Sequence, residues 1–383
     1  MSSEKGPFKL LAASLAFACA LSSFAAAQDE RPREQRRDDP APAAQAPAPA
    51  NTPAQDPAAR PQRPAEADKV NDAVDAAAAE EGKGKKDVMP QGTPVLWRDP
   101  GDISARDLRA GPGGEGPQPD LSRVSFVEEE QGGYSVKYRV RDGAGRVWVA
   151  KLGKEAQPET AATRIVWAVG YPAEVTYLAP CVRIEGAPAP RKEVERCEGG
   201  GFANVRFEAR PDGVKRLTEW KWGENPFHGK REMNGFVVLM ALLNNWDLKD
   251  SNNKIIHYPE QGELHYMVSD LGATFGKTGN FITHNRNEPE DYAKSRFVKK
   301  AEGGRVVFAY AGKNTGLLEN IPVEDAAWVG SLLARLSDRQ LKDAFLAANY
   351  SDEVASALAA SVRAKINELT TLGAGAAPAQ VSQ

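Results

Sequence analysis

Asp247, Lys249, Asn252 and Asp270 are the residues in this chain whose types and spacing suit phosphoryl chemistry, and all four lie in the stretch LLNNWDLKDSNNKIIHYPEQGELHYMVSDLGATFG that begins at Leu242. The runs NKIIHY and ELHYMVSD are strand-like and flank a turn from Pro259 to Gly262, which predicts a hairpin. Asn252 and Asp270 each lie nine residues from Gln261, near the centre of that turn, so the hairpin should bring them side by side at its open end. Two hard oxygen donors on a rigid base suit Mg²⁺ or Mn²⁺ and leave positions for phosphate oxygens. Asp247, five residues before Asn252, is placed to orient a hydroxyl for attack, and Lys249 to neutralise charge on a transferring phosphoryl group. A calcium loop does not fit, because Lys249 takes the third position and no glycine follows at the sixth.

The elements that must hold these groups are legible on either side. Upstream, Tyr134, Val136, Tyr138 and Val140 alternate with polar residues, the period of a half-buried strand. The turn Asp142-Gly143-Ala144-Gly145 follows, and RVWVAKL returns as a second strand with Val147, Val149 and Lys151 on one face. Lys151 either continues that face inward or snorkels out at the strand end. QPETAATRIVWAVGY then reads as a helix with Pro158 at its first position and Gly170 just past its end. Its stripe of Ala162, Ile165, Val166 and Val169 points to the core, and Glu159 shares that face; an acid in a first turn also favours the helix dipole. Cys181 to Phe207 reads as a hairpin or long loop. GKREMNGFVVLMALLNN is a helix with a broad apolar face, and from Val323 the chain is helical again, with Ser337-Asp338-Arg339-Gln340 resembling a capping box.

WDLKDSN resembles the D-L-K-x-x-N catalytic loop of the protein-kinase-like superfamily, and VSDLGATFG its D-F-G or D-L-G metal motif. VWVAKLG is similar to the strand that carries the ATP-binding lysine, and Glu159 to that lysine's helix partner. The four elements stand in the family order and span roughly Val124 to Leu369. The resemblance implies that Lys151 holds the α and β phosphates, Glu159 pairs with Lys151, Asp247 is the base, and Asn252 and Asp270 bind metal. EEEQGGYSVKY is the phosphate-loop candidate, with Gly132 and Gly133 supplying flexible backbone short of a full G-x-G-x-x-G. Asn245-Trp246 stands where His-Arg precedes the aspartate in protein kinases, the lysine and glutamate are only eight residues apart, and no A-P-E follows. These departures make the chain more similar to the atypical branch, with its HipA-type, phosphatidylinositol-kinase-like and secreted kinases. Trp220 and Trp222 fall in the interlobe connector, where one packs either in the core or near the nucleotide base. The polar segment after the metal motif, GKTGNFITHNRNEPEDYAKSRFVKK, is either part of an acceptor surface or a plain surface loop.

The ends of the chain read differently from this middle. Residues 1–27 have a basic start, an apolar run and Ala25-Ala26-Ala27 before Gln28, which reads as a signal peptide; an uncleaved membrane anchor is the alternative. Residues 28–92 are Pro- and Ala-rich with almost no large apolar side chains, the composition of a disordered linker, and 373–383 is a similar tail. The chain is therefore expected to be exported, to the periplasm or beyond the cell, with membrane contact only through an uncleaved N-terminus. Cys181 and Cys197 then either pair in an oxidising compartment or stay as two core thiols. A net charge of −3 and the lack of any basic, aromatic-interleaved stretch argue against nucleic acid as partner. No zinc-ligand spacing and no G-x-S-x-G occurs.

The expected architecture is α+β and two-lobed, with a strand-rich, nucleotide-binding N-lobe over 93–225 and a mainly helical C-lobe over 226–372. The expected function is a metal-dependent kinase-like phosphotransferase, or a related nucleotide-using group transferase. It would use ATP or another nucleotide with Mg or Mn and an unknown protein or small-molecule acceptor. The alternative is an inactive kinase-fold envelope binding or scaffold protein.

Overall fold

The computed structural model describes residues 89–131, 134–279 and 283–375, with side chains to Leu372, all within the unit Lys85–Gln383. The segments expected to be a signal peptide and, for the most part, a disordered linker lie outside the described residues, as do Gly132 and Gly133.

Strands β1 (Thr93–Val95), β2 (Val124–Glu130), β3 (Val136–Arg141) and β4 (Val147–Leu152) lead into helix α1 (Ala156–Ala168). Strands β5 (Thr176–Val182), β6 (Ile184–Glu185), β7 (Phe202–Ala209) and β8 (Lys215–Arg216) follow. A six-stranded sheet in the order β5-β7-β4-β3-β2-β6 forms the strand-rich lobe. The period-2 reading holds from Val136, where Val136, Tyr138 and Val140 are buried and the polar residues between them are not, but it fails before the strand: Tyr134 is exposed and Ser135 is buried on Glu155. β4 is covered on both sides: Trp148, Ala150 and Leu152 join the apolar core of the sheet with Tyr138 and Phe207, while Val149 and Lys151 are equally buried. Lys151 therefore does not snorkel.

Helix α1 begins two residues earlier than the sequence suggests. Pro158 is its third residue, not its first. The ring is tolerated there because no N–H in the first turn has an intrahelical acceptor. Gly170 closes the helix at φ +95°, and a Cβ there would lie 2.1 Å from the Arg98 carbonyl oxygen, so only glycine fits both the backbone and the space. The apolar stripe of α1 packs into the core of the other lobe, which makes α1 the element joining the two.

That second lobe contains α2 (Arg231–Leu242), the hairpin β9 (Asn253–Tyr258) and β10 (Glu263–Val268), and the short helix α3 (Pro289–Lys294). The ribbon β11 (Val298–Glu302) and β12 (Arg305–Phe308) leads to helices α4 (Val323–Ala334), α5 (Asp338–Leu346) and α6 (Asp352–Gly375). The capping box at Ser337 and Gln340 is formed as read, and α6 runs three residues beyond Leu372 into the expected tail. β1 pairs in parallel with β10, and Ile103 and Leu108 enter the helical core, so the segment preceding the first sheet packs on the second lobe.

Cys181 and Cys197 form a disulfide across 16 residues of chain, with Cα atoms 5.8 Å apart. Closing a loop of about that length is worth about 3 kcal/mol through the unfolded state. Cys181→Ser with Cys197→Ser should lower the urea-unfolding free energy by about that much; an unchanged midpoint would mean that the unfolded chain without the bond already keeps positions 181 and 197 close.

Candidate active site

Lys151 is the centre of the site. Its strand pairs with β3 on one side and β7 on the other, which fixes its side chain beneath the sheet and against α1. There the Nζ atom lies 2.7 Å from Glu159 Oε2, 3.2 Å from Asp270 Oδ1 and 3.1 Å from Glu155 Oε2. The eight-residue interval between Lys151 and Glu159 thus suffices, because the chain turns from the strand straight into the helix.

The other half is built on the loop leaving α2 and on the hairpin. Asp247 Oδ2 receives Lys249 Nζ at 3.0 Å, and Asn252 Nδ2 donates to the Asp247 carbonyl at 2.7 Å and to Oδ2 at 3.2 Å. The hairpin register differs by one residue from the symmetric expectation. Asn253 pairs with Val268, the Ser269 N–H donates to the Asn252 carbonyl at 2.8 Å, and Asp270 comes one residue later. The connection at Pro259–Gly262 has four residues between paired positions 258 and 263, so the centre falls between Glu260 and Gln261. Asp270 has left the ladder and is free to face Lys151, held by the Gly272 N–H at 3.1 Å from Oδ1. A Cβ on Gly272 would lie 2.6 Å from Glu155 Cβ, which gives the glycine of the D-L-G run its reason.

A lysine beneath a sheet, paired with a helix glutamate and reaching an aspartate after a C-lobe hairpin, ties the two lobes together. The fold is α+β and two-lobed, as the sequence resemblance to the protein-kinase-like superfamily implies.

No family model matches the chain, and no curated protein matches it in sequence. Among solved structures it is similar to a Helicobacter pylori proinflammatory kinase, CtkA, at 11% identity and TM-score 0.43, covering 69% of this chain and 100% of that one. It is also similar to the Golgi casein kinase at 10% identity and TM-score 0.36, covering 69% of this chain and 74% of that one. The fold assignment rests on the arrangement of this chain's own strands, helix and charged residues.

Burial alone would discharge these groups, and their partners oppose it. Burial pushes the Asp270 carboxyl up, but Lys151, the Gly272 N–H and Lys137 outweigh it and hold the pKa at about 2. Burial likewise works against the Lys151 ammonium, which Asp270 and Glu159 nonetheless hold above its ordinary value. Glu159 is pushed up by burial against the pull of Arg206 and Lys151. With cations at 2.7 and 3.3 Å on its two oxygens, the carboxylate that fits this geometry is the ionised one.

The residues present fit a divalent cation. Asn252 and Asp270 each have one atom fixed by a protein donor or acceptor, while Asn252 Oδ1 and Asp270 Oδ2 take no hydrogen bond among the described residues. One amide and one carboxylate oxygen are a donor set for Mg²⁺ or Mn²⁺ with phosphate and water completing the shell. No group of three or more His, Cys, Asp or Glu side chains suited to a metal occurs among the described residues.

Several participants carried no signal in the sequence. Glu155 is buried between Lys151, the Ser135 hydroxyl at 2.5 Å and Arg286, which comes from the segment after the metal motif. Arg206 on β7 bridges Glu159, Glu208 and Glu174 at 3.3, 2.9 and 3.3 Å, and Glu174 in turn accepts the Ser269 hydroxyl at 2.6 Å beside Asp270. The apolar stripe of α1 pointed to Glu159, which shares its face, but gave no reason to single out Glu155 one turn earlier. Trp220 and Trp222 are core residues: both are buried, packed edge-on at 4.8 Å, with the Trp220 indole N–H on the Met267 carbonyl.

Proposed function

We propose that this chain is a metal-dependent phosphotransferase that takes ATP or a related nucleotide with Mg²⁺ or Mn²⁺ and transfers a phosphoryl group to an acceptor hydroxyl. The observation that carries this reading is the Lys151 ammonium held at 2.7 Å from Glu159 and 3.2 Å from Asp270, a preorganised cation beside a carboxylate whose second oxygen takes no hydrogen bond among the described residues. In this reading Lys151 binds the α and β phosphates and Glu159 fixes its rotamer. Asn252 and Asp270 would hold the metal, which when bound neutralises charge on the phosphates. Asp247 orients the acceptor hydroxyl and accepts its proton, and Lys249 faces the transferring group. Asp247 is ready as a base at neutral pH: burial pushes its carboxyl up, but hydrogen bonds from Lys313, Lys249 and Asn252 outweigh this and hold it below the usual range.

The sequence of residues 1–27 supports export as part of the proposal, to the periplasm or the exterior. No described helix is long and apolar enough to cross a membrane. In this reading the acceptor is a protein or a small molecule that offers a hydroxyl to Asp247.

The test is a thermal-shift titration of the chain with ATP and GTP, each with Mg²⁺ or Mn²⁺, repeated on Asp270→Asn. Ligand at about 100 times its Kd stabilises the native state by about 2.7 kcal/mol, a shift readily seen. A metal-dependent rise that is lost in Asp270→Asn is the expected result. No rise with any nucleotide and metal would overturn the reading and leave a binding or scaffold protein on this fold.

A further inference from the structure

The residues before the catalytic aspartate lack the His-Arg pair of protein kinases, yet the loop is held firmly, and what holds it lies more than 60 residues away. Four successive carbonyls, from Asn245 to Leu248, each accept a hydrogen bond. The Tyr310 hydroxyl donates to Asn245 at 2.8 Å, the Lys313 N–H to Trp246 at 2.8 Å, Asn252 Nδ2 to Asp247 at 2.7 Å and Asn314 Nδ2 to Leu248. Three of these four donors come from the loop that leaves β12. The same loop adds Lys313 Nζ at 2.6 Å from Asp247 Oδ1, so the aspartate that Lys249 touches on one oxygen is held by Lys313 on the other. Gly312 makes the approach sterically feasible: a Cβ there would lie 2.6 Å from the Trp246 carbonyl and 2.3 Å from the Tyr310 hydroxyl. Asn314, at φ +53°, takes the left-handed conformation that asparagine tolerates better than most residues, which turns its side chain back onto Leu248.

We propose that the loop 309–314 is a latch that sets the geometry of the catalytic loop, with Lys313 the positioning residue for Asp247. The latch supplies from the tertiary structure what the His-Arg pair supplies locally elsewhere. It fixes the backbone through three carbonyls and the carboxylate through one ammonium. Lys313 is 55% exposed, so its removal leaves no buried charge without a partner, and its role can be separated from folding.

The catalytic half of this inference rests on the phosphotransferase reading; the structural half does not, and the experiment reads them separately. Hydrogen exchange of the full chain without nucleotide is compared among wild type, Gly312→Ala, Asn314→Ala and Lys313→Met. Exchange across residues 245–249 should accelerate at least about tenfold in Gly312→Ala and less in Asn314→Ala, with β3 and β4 unchanged. Hydrolysis of Mg·ATP by Lys313→Met should fall at least about tenfold with Kd for Mg·ATP unchanged, and Lys313→Arg should recover most of it. Unchanged exchange at 245–249 in both Gly312→Ala and Asn314→Ala overturns the latch, as does acceleration spread equally over the sheet. Turnover in Lys313→Met equal to wild type, or a fall matched by weaker nucleotide binding, overturns the role of Lys313. A wild-type chain that neither binds nor hydrolyses nucleotide ends the phosphotransferase reading and with it the catalytic role of Lys313, while the exchange result still decides the latch.

Discussion

Asp247→Asn is expected to lower acceptor-independent hydrolysis of ATP by at least about 100-fold while leaving Kd for Mg·ATP within about twofold. The amide keeps the shape of the side chain and its contact with Asn252, but it loses the charge that Lys313 and Lys249 face at 2.6 and 3.0 Å and the capacity to take a proton. Both lysines are about half exposed, so losing the ion pairs costs little stability and the effect appears in turnover rather than in folding. The side-chain partners of Asp247 are Lys249, Lys313 and Asn252, none of them in the Lys151 cluster proposed to hold the phosphates, which is why binding should be spared. Single-turnover kinetics and calorimetric titration measure the two quantities. Wild-type hydrolysis by Asp247→Asn would remove Asp247 from the role of base.

The second large effect belongs to Lys151 and concerns the fold as much as the chemistry. Glu155, Glu159 and Asp270 all lie within 3.2 Å of its ammonium, and the lysine is 2% exposed. Removing one partner of a buried charge network leaves the others without compensation, a loss of about 3 to 5 kcal/mol. Lys151→Met should therefore destabilise the chain by that order in urea and abolish nucleotide-dependent stabilisation as well. Arg286 on Glu155 and Arg206 on Glu159 limit the damage, whereas Asp270 has no arginine partner among the described residues. For that reason the double variant Lys151→Met with Asp270→Asn should recover part of the lost stability without recovering binding. Lys151→Met with wild-type urea stability would show that the three carboxylates are not ionised together in the native state.

How much of the site was legible depended on sequence distance. Lys151 and Glu159 are eight residues apart, and Asp247 and Asn252 five, so strand-to-helix and loop geometry confine each pair locally. The hairpin from Asn253 to Val268 was legible from its turn. Its register was not, because counting from a turn residue cannot decide whether the centre falls on Gln261 or beside it. That half-step moved Asp270 off the ladder and toward Lys151, 119 residues earlier in the chain. The first position of α1 was misplaced because proline suits any position of a first turn.

The sequence by itself determined the local elements, the identities of the reactive side chains and their order along the chain, because periodicity, turn chemistry and short spacing act over a few residues. Only the tertiary structure decided which distant groups meet. Glu155 reaches Lys151 and Arg286 together, Arg206 gathers Glu159, Glu174 and Glu208, and the loop 309–314 closes on the carbonyls of Asn245, Trp246 and Leu248. A buried arginine, a glycine in a loop and an asparagine with positive φ carry no periodic signal of their own. Their partners are distant in the chain and come together, and are desolvated, only in the tertiary structure.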